Sequence, residues 1–146
     1  MIENFYQYSE NLASGAQPTE EEIEELKKDG FEVVFNISTQ SAKNAMQNEA
    51  FKVEKEGMYY MYFPVDCNNL QPIHYDTFKG IMEGVIYKKV FVHCGGNIKS
   101  SNLIHMYDVL VNKKNEAESL TTLCEIQEPE DKWFAYFKQM GMKGVR

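Results

Sequence analysis

The stretch "VFVHCGGNIKSSNLIHMYDVL", Val90 to Leu110, decides how the rest of this chain is read. Apolar residues suited to a buried strand end in His93 and Cys94, and two glycines follow. From Ser101 onward apolar residues are dense enough to predict a buried helix. The turn between strand and helix therefore holds a thiol, Gly95, Gly96, Asn97, Ile98 and a cation, Lys99. Glycines open backbone conformations that other residues avoid, so successive N–H groups can turn to one side. Such a nest, followed by a helix N-terminus, attracts anions. The same field favours a thiolate at Cys94. Lys99 brings a full positive charge to that place, and Ser101 is positioned to donate a hydrogen bond to the sulfur. A thiolate in an anion cradle is the arrangement that attack on a phosphate ester requires.

The whole chain sets bounds on this reading. Its 146 residues suit one domain, 1–146, and are enough to bury a core. Apolar residues make up 43% and charged residues 25%, a globular composition. The net charge of −7 argues against a nucleic-acid partner, although a small anion at a local positive site fits. The start of the chain has no basic flank or apolar core region of a signal peptide, and no apolar run approaches membrane-spanning length. Cys67, Cys94 and Cys124 are widely spaced and form no zinc pattern, so neither metal nor cofactor is expected. Reduced thiols and a cytoplasmic location follow as the simplest expectation.

Along the chain, helical and strand patterns alternate. "NFYQYSENLASGAQ" begins the sheet as a short strand. Thr19 to Glu22 is a capping-box pattern, Ile23 and Leu26 supply an apolar stripe, and Gly30 stops the helix. Phe31 to Ile37 is a buried strand. Residues 41–57 have helical spacing, and "MYYMYFPV" is a further strand. Tyr75, Phe78, Met82 and Val85 share one helical face. "EAESLTTLCEI" is a helix with Cys124 in the core, and a last helix turns Trp133, Phe134 and Phe137 inward. This order predicts an α/β fold in three layers, a mostly parallel central sheet with helices on both faces. Ligands in such sheets bind at the carboxyl ends of the strands. Two loops there carry chemistry, 66–72 and 94–101. Asp66 suits either an acid–base role or a turn, since Asp forms turns readily.

"HCGGNIKSS" resembles the signature of the cysteine-based protein tyrosine phosphatases. The closer likeness is to a bacterial branch of the dual-specificity-like phosphatases, with patterns of the form "SGQP", "PVD" and "HCxxNxRxS". The counterparts here are Ser14 to Pro18, Pro64 to Asp66 and His93 to Ser101. The "EAESL" helix and the Pro129–Trp133 segment also fit, so the resemblance spans nearly the whole chain. It implies a phosphotyrosine phosphatase-like fold and a phosphate-containing substrate, a phosphoprotein or a small ester. It also implies roles. Cys94 forms a cysteinyl phosphate, Asp66 is general acid and then base, and the amides of Gly95 to Lys99 bind phosphoryl oxygens. Ser101 assists departure from sulfur, and His93 supports the loop.

The loop departs from the family in its cation. Lys99 stands where the branch has Arg, and a point charge cannot make the planar bidentate contact of a guanidinium. Four residues separate Cys94 from Lys99, so Ser100 occupies the arginine offset of the common signature. Losing one hydrogen bond to a charged phosphoryl group costs roughly 1.5–3 kcal/mol, on the order of ten- to a hundred-fold in rate. Three readings stay open: a phosphomonoesterase of low activity, a non-catalytic phosphate-binding (pseudophosphatase) module, and a rhodanese-like sulfurtransferase, which also holds a cysteine in a short anion-cradling loop.

Overall fold

The computed structural model describes residues 1–146. Its strands are β1 (Tyr6–Ser9), β2 (Leu12–Gly15), β3 (Val33–Asn36), β4 (Tyr59–Tyr62) and β5 (Val90–His93). They form one sheet in the order β1-β2-β5-β3-β4. Strands β2, β5, β3 and β4 run parallel, and β1 pairs antiparallel with β2. The register aligns Gly15, His93 and Asn36 across the carboxyl edge. The helices are α1 (Glu20–Lys28), α2 (Glu49–Lys55), α3 (Pro72–Val85), α4 (Ile98–Leu110), α5 (Glu116–Ile126) and α6 (Asp131–Gln139).

Side chains of the buried strands alternate between two cores. Val90 and Val92 of β5 join the larger core with Phe78 of α3, Leu103 of α4, Leu123 of α5 and Trp133 of α6. Phe91 joins the smaller core with Ile23 of α1 and Val53 of α2. Helices therefore cover both faces of a mostly parallel sheet, as the alternation of patterns predicts. The α1 capping box forms as expected: Glu22 N–H donates to Thr19 Oγ1 at 3.2 Å, and Thr19 N–H donates to Glu22 Oε1 at 2.9 Å. Tyr75, Phe78 and Met82 are the buried face of α3. Gly15 is fixed by crowding, since a Cβ there would lie 2.9 Å from Ile2 Cγ2 and 3.0 Å from Phe91 Cζ. No helix is long and apolar enough to cross a membrane.

Four sequence expectations are corrected. The N-terminal stretch folds as a two-stranded hairpin, with Glu10 and Asn11 turning the chain, where one strand was expected. The strand expected at 31–37 is the shorter β3. The helix expected over 41–57 is confined to Glu49–Lys55. Residues before it form turns, such as Ala42 N–H to Thr39 O and Ala45 N–H to Ala42 O, and Asn48 has left-handed φ of 59°. Ser41 Oγ pairs with Thr39 Oγ1, Asn44 Nδ2 is drawn to Gly95 O, and no residue from 41 to 48 is buried enough to drive a helix. Cys124 is exposed on α5, because the buried face of that helix is taken by Ser119, Leu120 and Leu123.

The chain end is held by one carboxylate. Glu116 accepts from the N–H groups of Lys143, Gly144 and Val145 at 3.0, 2.7 and 2.9 Å. Partial burial opposes its ionisation, but these bonds and nearby His105 outweigh that and hold the carboxyl below its ordinary value. A depressed carboxyl stabilises the fold above the ordinary carboxylate range and loses that effect as pH falls through its folded value. Protection of the Lys143–Val145 amides, measured against their intrinsic exchange rates, is therefore high at neutral pH, and falls on acidification and in Glu116→Gln. Equal exchange in the two proteins at neutral pH would refute the clamp.

Candidate active site

Strand β5 delivers Cys94 to the carboxyl edge of the sheet, on the face of the larger core, where it is buried. His93 points to the opposite face and stacks on Phe91 at 5.9 Å between ring centroids. Helix α4 begins at Ile98, so its unpaired first-turn amides open toward the loop. Positive backbone partial charge thus gathers at the start of a 13-residue helix directly after Cys94.

The loop is held from outside by its carbonyls. Gly95 O accepts from Gln17 N–H at 3.2 Å and from Asn44 Nδ2 at 2.9 Å. Gly96 O accepts from Asn4 Nδ2 at 3.1 Å, and Asn97 Nδ2 donates back to Asn4 O at 2.9 Å. His93 Nδ1 lies 3.3 Å from Cys94 O. In a trans peptide the N–H lies anti to the carbonyl. Pinning Cys94 O and Gly95 O outward therefore turns the amides of Gly95 and Gly96 to the inner side.

The reason for the glycines differs from the sequence expectation. Neither Gly95 nor Gly96 has positive φ; the left-handed residue is Asn97, at φ 70°. Asn suits that conformation better than most residues, because its short polar side chain bonds locally. Gly95 instead makes room for the group that pins it, since a Cβ there would meet Asn44 Oδ1 at 3.3 Å. At Gly96 a Cβ would meet nothing within 4 Å.

Lys99 Nζ donates to Val65 O at 2.6 Å. Its amine thus ties the Cys94 loop to the segment that carries Asp66. Ser100, at the arginine offset of the common signature, is fully buried and its hydroxyl has no partner. The first turn of α4 therefore faces position 100 inward and leaves position 99 to carry a cation. Ser101 Oγ donates to Asn97 O at 2.6 Å, not to the sulfur as its spacing suggested. Gln127 Nε2 in turn donates to Ser101 Oγ at 3.2 Å.

Asp66 is exposed and its Oδ1 accepts from Asn68 N–H at 2.9 Å, so it does form a turn. The turn is anchored at both ends. Val65 N–H donates to Ile37 O at 3.0 Å, and Tyr136 OH donates to Gln71 O at 2.7 Å. Cys67, beside Asp66, is a free thiol, as are Cys94 and Cys124.

Behind the loop lies a buried pair that sequence reading misses. His93 Nε2 is 2.6 Å from Glu49 Oε2, with the side chains 0% and 3% exposed. Glu49 Oε1 accepts from Gln17 Nε2 at 2.7 Å. In sequence Glu49 is one of many acidic residues, and nothing in its spacing separates it from solvated ones. The same holds for Asn4 and Asn44, whose bonds to the loop span 92 and 51 residues. The largest cavity, about 590 Å³, opens on this face between Asn36, Gln40, Asn48, Glu49, Tyr60 and Tyr62. No group of three or more His, Cys, Asp or Glu side chains is placed to hold a metal.

No family model and no curated protein matches this chain. Solved structures do. A candidate phosphatase (DUF442) from Shewanella putrefaciens CN-32 is similar at 29% identity and a TM-score of 0.84, over 99% of this chain and 95% of its own. TpbA of P. aeruginosa, as a cysteine-to-serine variant in complex with phosphotyrosine, gives a TM-score of 0.74 at 16% identity, over 97% of this chain and 85% of its own. PTPMT1 in complex with PI(5)P gives 0.75 at 13% identity, over 93% of each chain. The fold is that of the cysteine-based tyrosine and dual-specificity phosphatases, the family the loop resembles.

The loop geometry predicts a contrast between neighbours. Gly96→Ala leaves stability within about 0.5 kcal/mol. Asn97→Ala costs about 1–2 kcal/mol for the left-handed backbone, besides its bond to Asn4 O, and Asn97→Gly recovers the backbone part. Denaturant unfolding of the three variants checks this. An Asn97→Gly variant less stable than Asn97→Ala would contradict it.

Proposed function

We propose, from the phosphatase fold and the loop it carries, that this chain hydrolyses phosphomonoesters through Cys94. The observation that carries the reading is the outward pinning of the loop carbonyls, which leaves inner amides at the start of α4 above the thiol. Cys94 sulfur attacks phosphorus, an S–P bond forms and the ester P–O bond breaks. Asp66 gives the leaving oxygen its proton. A water then attacks phosphorus and passes a proton to Asp66, the S–P bond breaks, and inorganic phosphate and the thiolate are released. The amides of Gly95 to Lys99 hold the phosphoryl oxygens as charge builds on them. Ser101 assists departure from sulfur once its hydroxyl rotates away from Asn97 O, and His93 supports the loop from the other face.

The substrate carries a phosphomonoester; phosphotyrosine in TpbA and a phosphoinositide in PTPMT1 show the range that this fold accommodates elsewhere. Free thiols fit a reducing compartment, which we take to be the cytoplasm. A single domain, 1–146, acts without a metal.

The bond from Lys99 to Val65 O favours a second reading, phosphate binding without turnover. An amine committed to a carbonyl must leave it to meet an anion, and it then offers one contact where arginine offers two. Activity on an aryl phosphate decides between the readings. The enzyme reading expects slow hydrolysis that Cys94→Ser abolishes and that Lys99→Arg raises by roughly ten-fold. Phosphate that raises the Tm, with turnover absent from the parent chain and from Lys99→Arg, would establish the binding module instead. Equal hydrolysis by the parent chain and Cys94→Ser would exclude Cys94 as nucleophile.

A further inference from the structure

We infer that Glu49 is a positioning residue that holds His93 as an imidazolium against the Cys94 loop, an assignment that rests on the reading of Cys94 as nucleophile. With Glu49 ionised, the two contacts place a proton on each ring nitrogen. Nδ1 faces Cys94 O at 3.3 Å, and a carbonyl oxygen only accepts. Nε2 faces a carboxylate oxygen at 2.6 Å, a separation typical of a charge-assisted bond. With side chains 0% and 3% exposed, water has little access to satisfy either group in its place. A neutral imidazole fits these contacts only if the pair's other proton sits on Glu49, the arrangement that the nitrogen NMR below distinguishes.

The orientation of the pair matters for the thiol. Its positive end touches the peptide of Cys94, and its negative end lies beyond the ring, on the opposite face of the sheet. The field at the loop therefore favours an anion, either the thiolate or the phosphoryl group above it. Glu49 is also tied to the loop by a second route. Gln17 gives its side-chain N–H to Glu49 Oε1 at 2.7 Å and its main-chain N–H to Gly95 O at 3.2 Å. One carboxylate thus stands behind the outward pinning of two consecutive loop carbonyls. Tyr60, which also faces Glu49, brings no competing charge, because burial pushes its phenol up.

The test reads the thiol itself and does not require turnover. In a full chain with Cys67→Ser and Cys124→Ser, iodoacetamide modifies Cys94 alone. At neutral pH, Glu49→Gln and His93→Asn each slow this modification by about ten-fold. The double variant is no slower than the slower single one, because Glu49 acts through His93. Unchanged modification in Glu49→Gln, or effects that multiply in the double variant, would overturn the inference. A second measurement needs no variant: nitrogen NMR of histidine-labelled chain at neutral pH shows both His93 ring nitrogens protonated. A single neutral tautomer would equally overturn it. If modification slows as expected but the parent chain hydrolyses no aryl phosphate, the phosphatase reading fails and the role of Glu49 at the thiol stands.

Discussion

The site depends on where the carbonyls of one short loop point. An anion can rest on a backbone only where N–H groups converge, and a peptide whose N–H turns inward must send its carbonyl outward. Partners on the outside hold these carbonyls, that of Cys94 in the interior and those of Gly95 and Gly96 nearer the surface. Three of these partners come from remote segments, Gln17 after β2, Asn44 in the β3–α2 connection and Asn4 before β1, and the fourth, His93, adjoins the loop at the end of β5. The cradle is therefore a tertiary construction, although its residues are contiguous in sequence.

The parallel sheet is what brings those partners within reach. Its register sets the ends of β2, β5 and β3 side by side, so whatever follows Gly15 and Asn36 must pass the loop that follows His93. Alternation along β5 then divides the labour between the faces. Cys94 packs with the larger core under α4, and His93 reaches the face of α1 and α2, where Glu49 meets it. Lys99 adds a tie in the remaining direction, to Val65 and the turn of Asp66. Asp66, Cys94 and His93 are drawn to one edge by strand order and side-chain alternation.

Much of this was legible in the sequence, and the illegible part has a physical pattern. The alternation of elements, the capping box at Thr19 and the strand–turn–helix around Cys94 rest on local signals, and each formed. The helix expected over 41–57 formed only as Glu49–Lys55, because nothing buries its first half. Gly95 and Gly96 were read as conformational devices, yet Asn97 takes the left-handed position. The glycine at 95 answers to Asn44, a neighbour invisible at a separation of 51 residues. Glu49 was hidden for the same reason. A buried carboxylate and a solvated one look alike until the fold shows which of them meets an imidazole.

The central claim is that the thiol of Cys94 attacks phosphorus inside this loop. Its most direct test is a rapid acid quench of the chain during reaction with an aryl phosphate, followed by mass spectrometry of the peptide that contains Cys94. The account predicts that this peptide gains the mass of one phosphoryl group, carried on sulfur, retained in alkali, lost at mildly acidic pH and absent from Cys94→Ser. Product released over many turnovers with no phosphoryl group on that peptide at any quench time would contradict it.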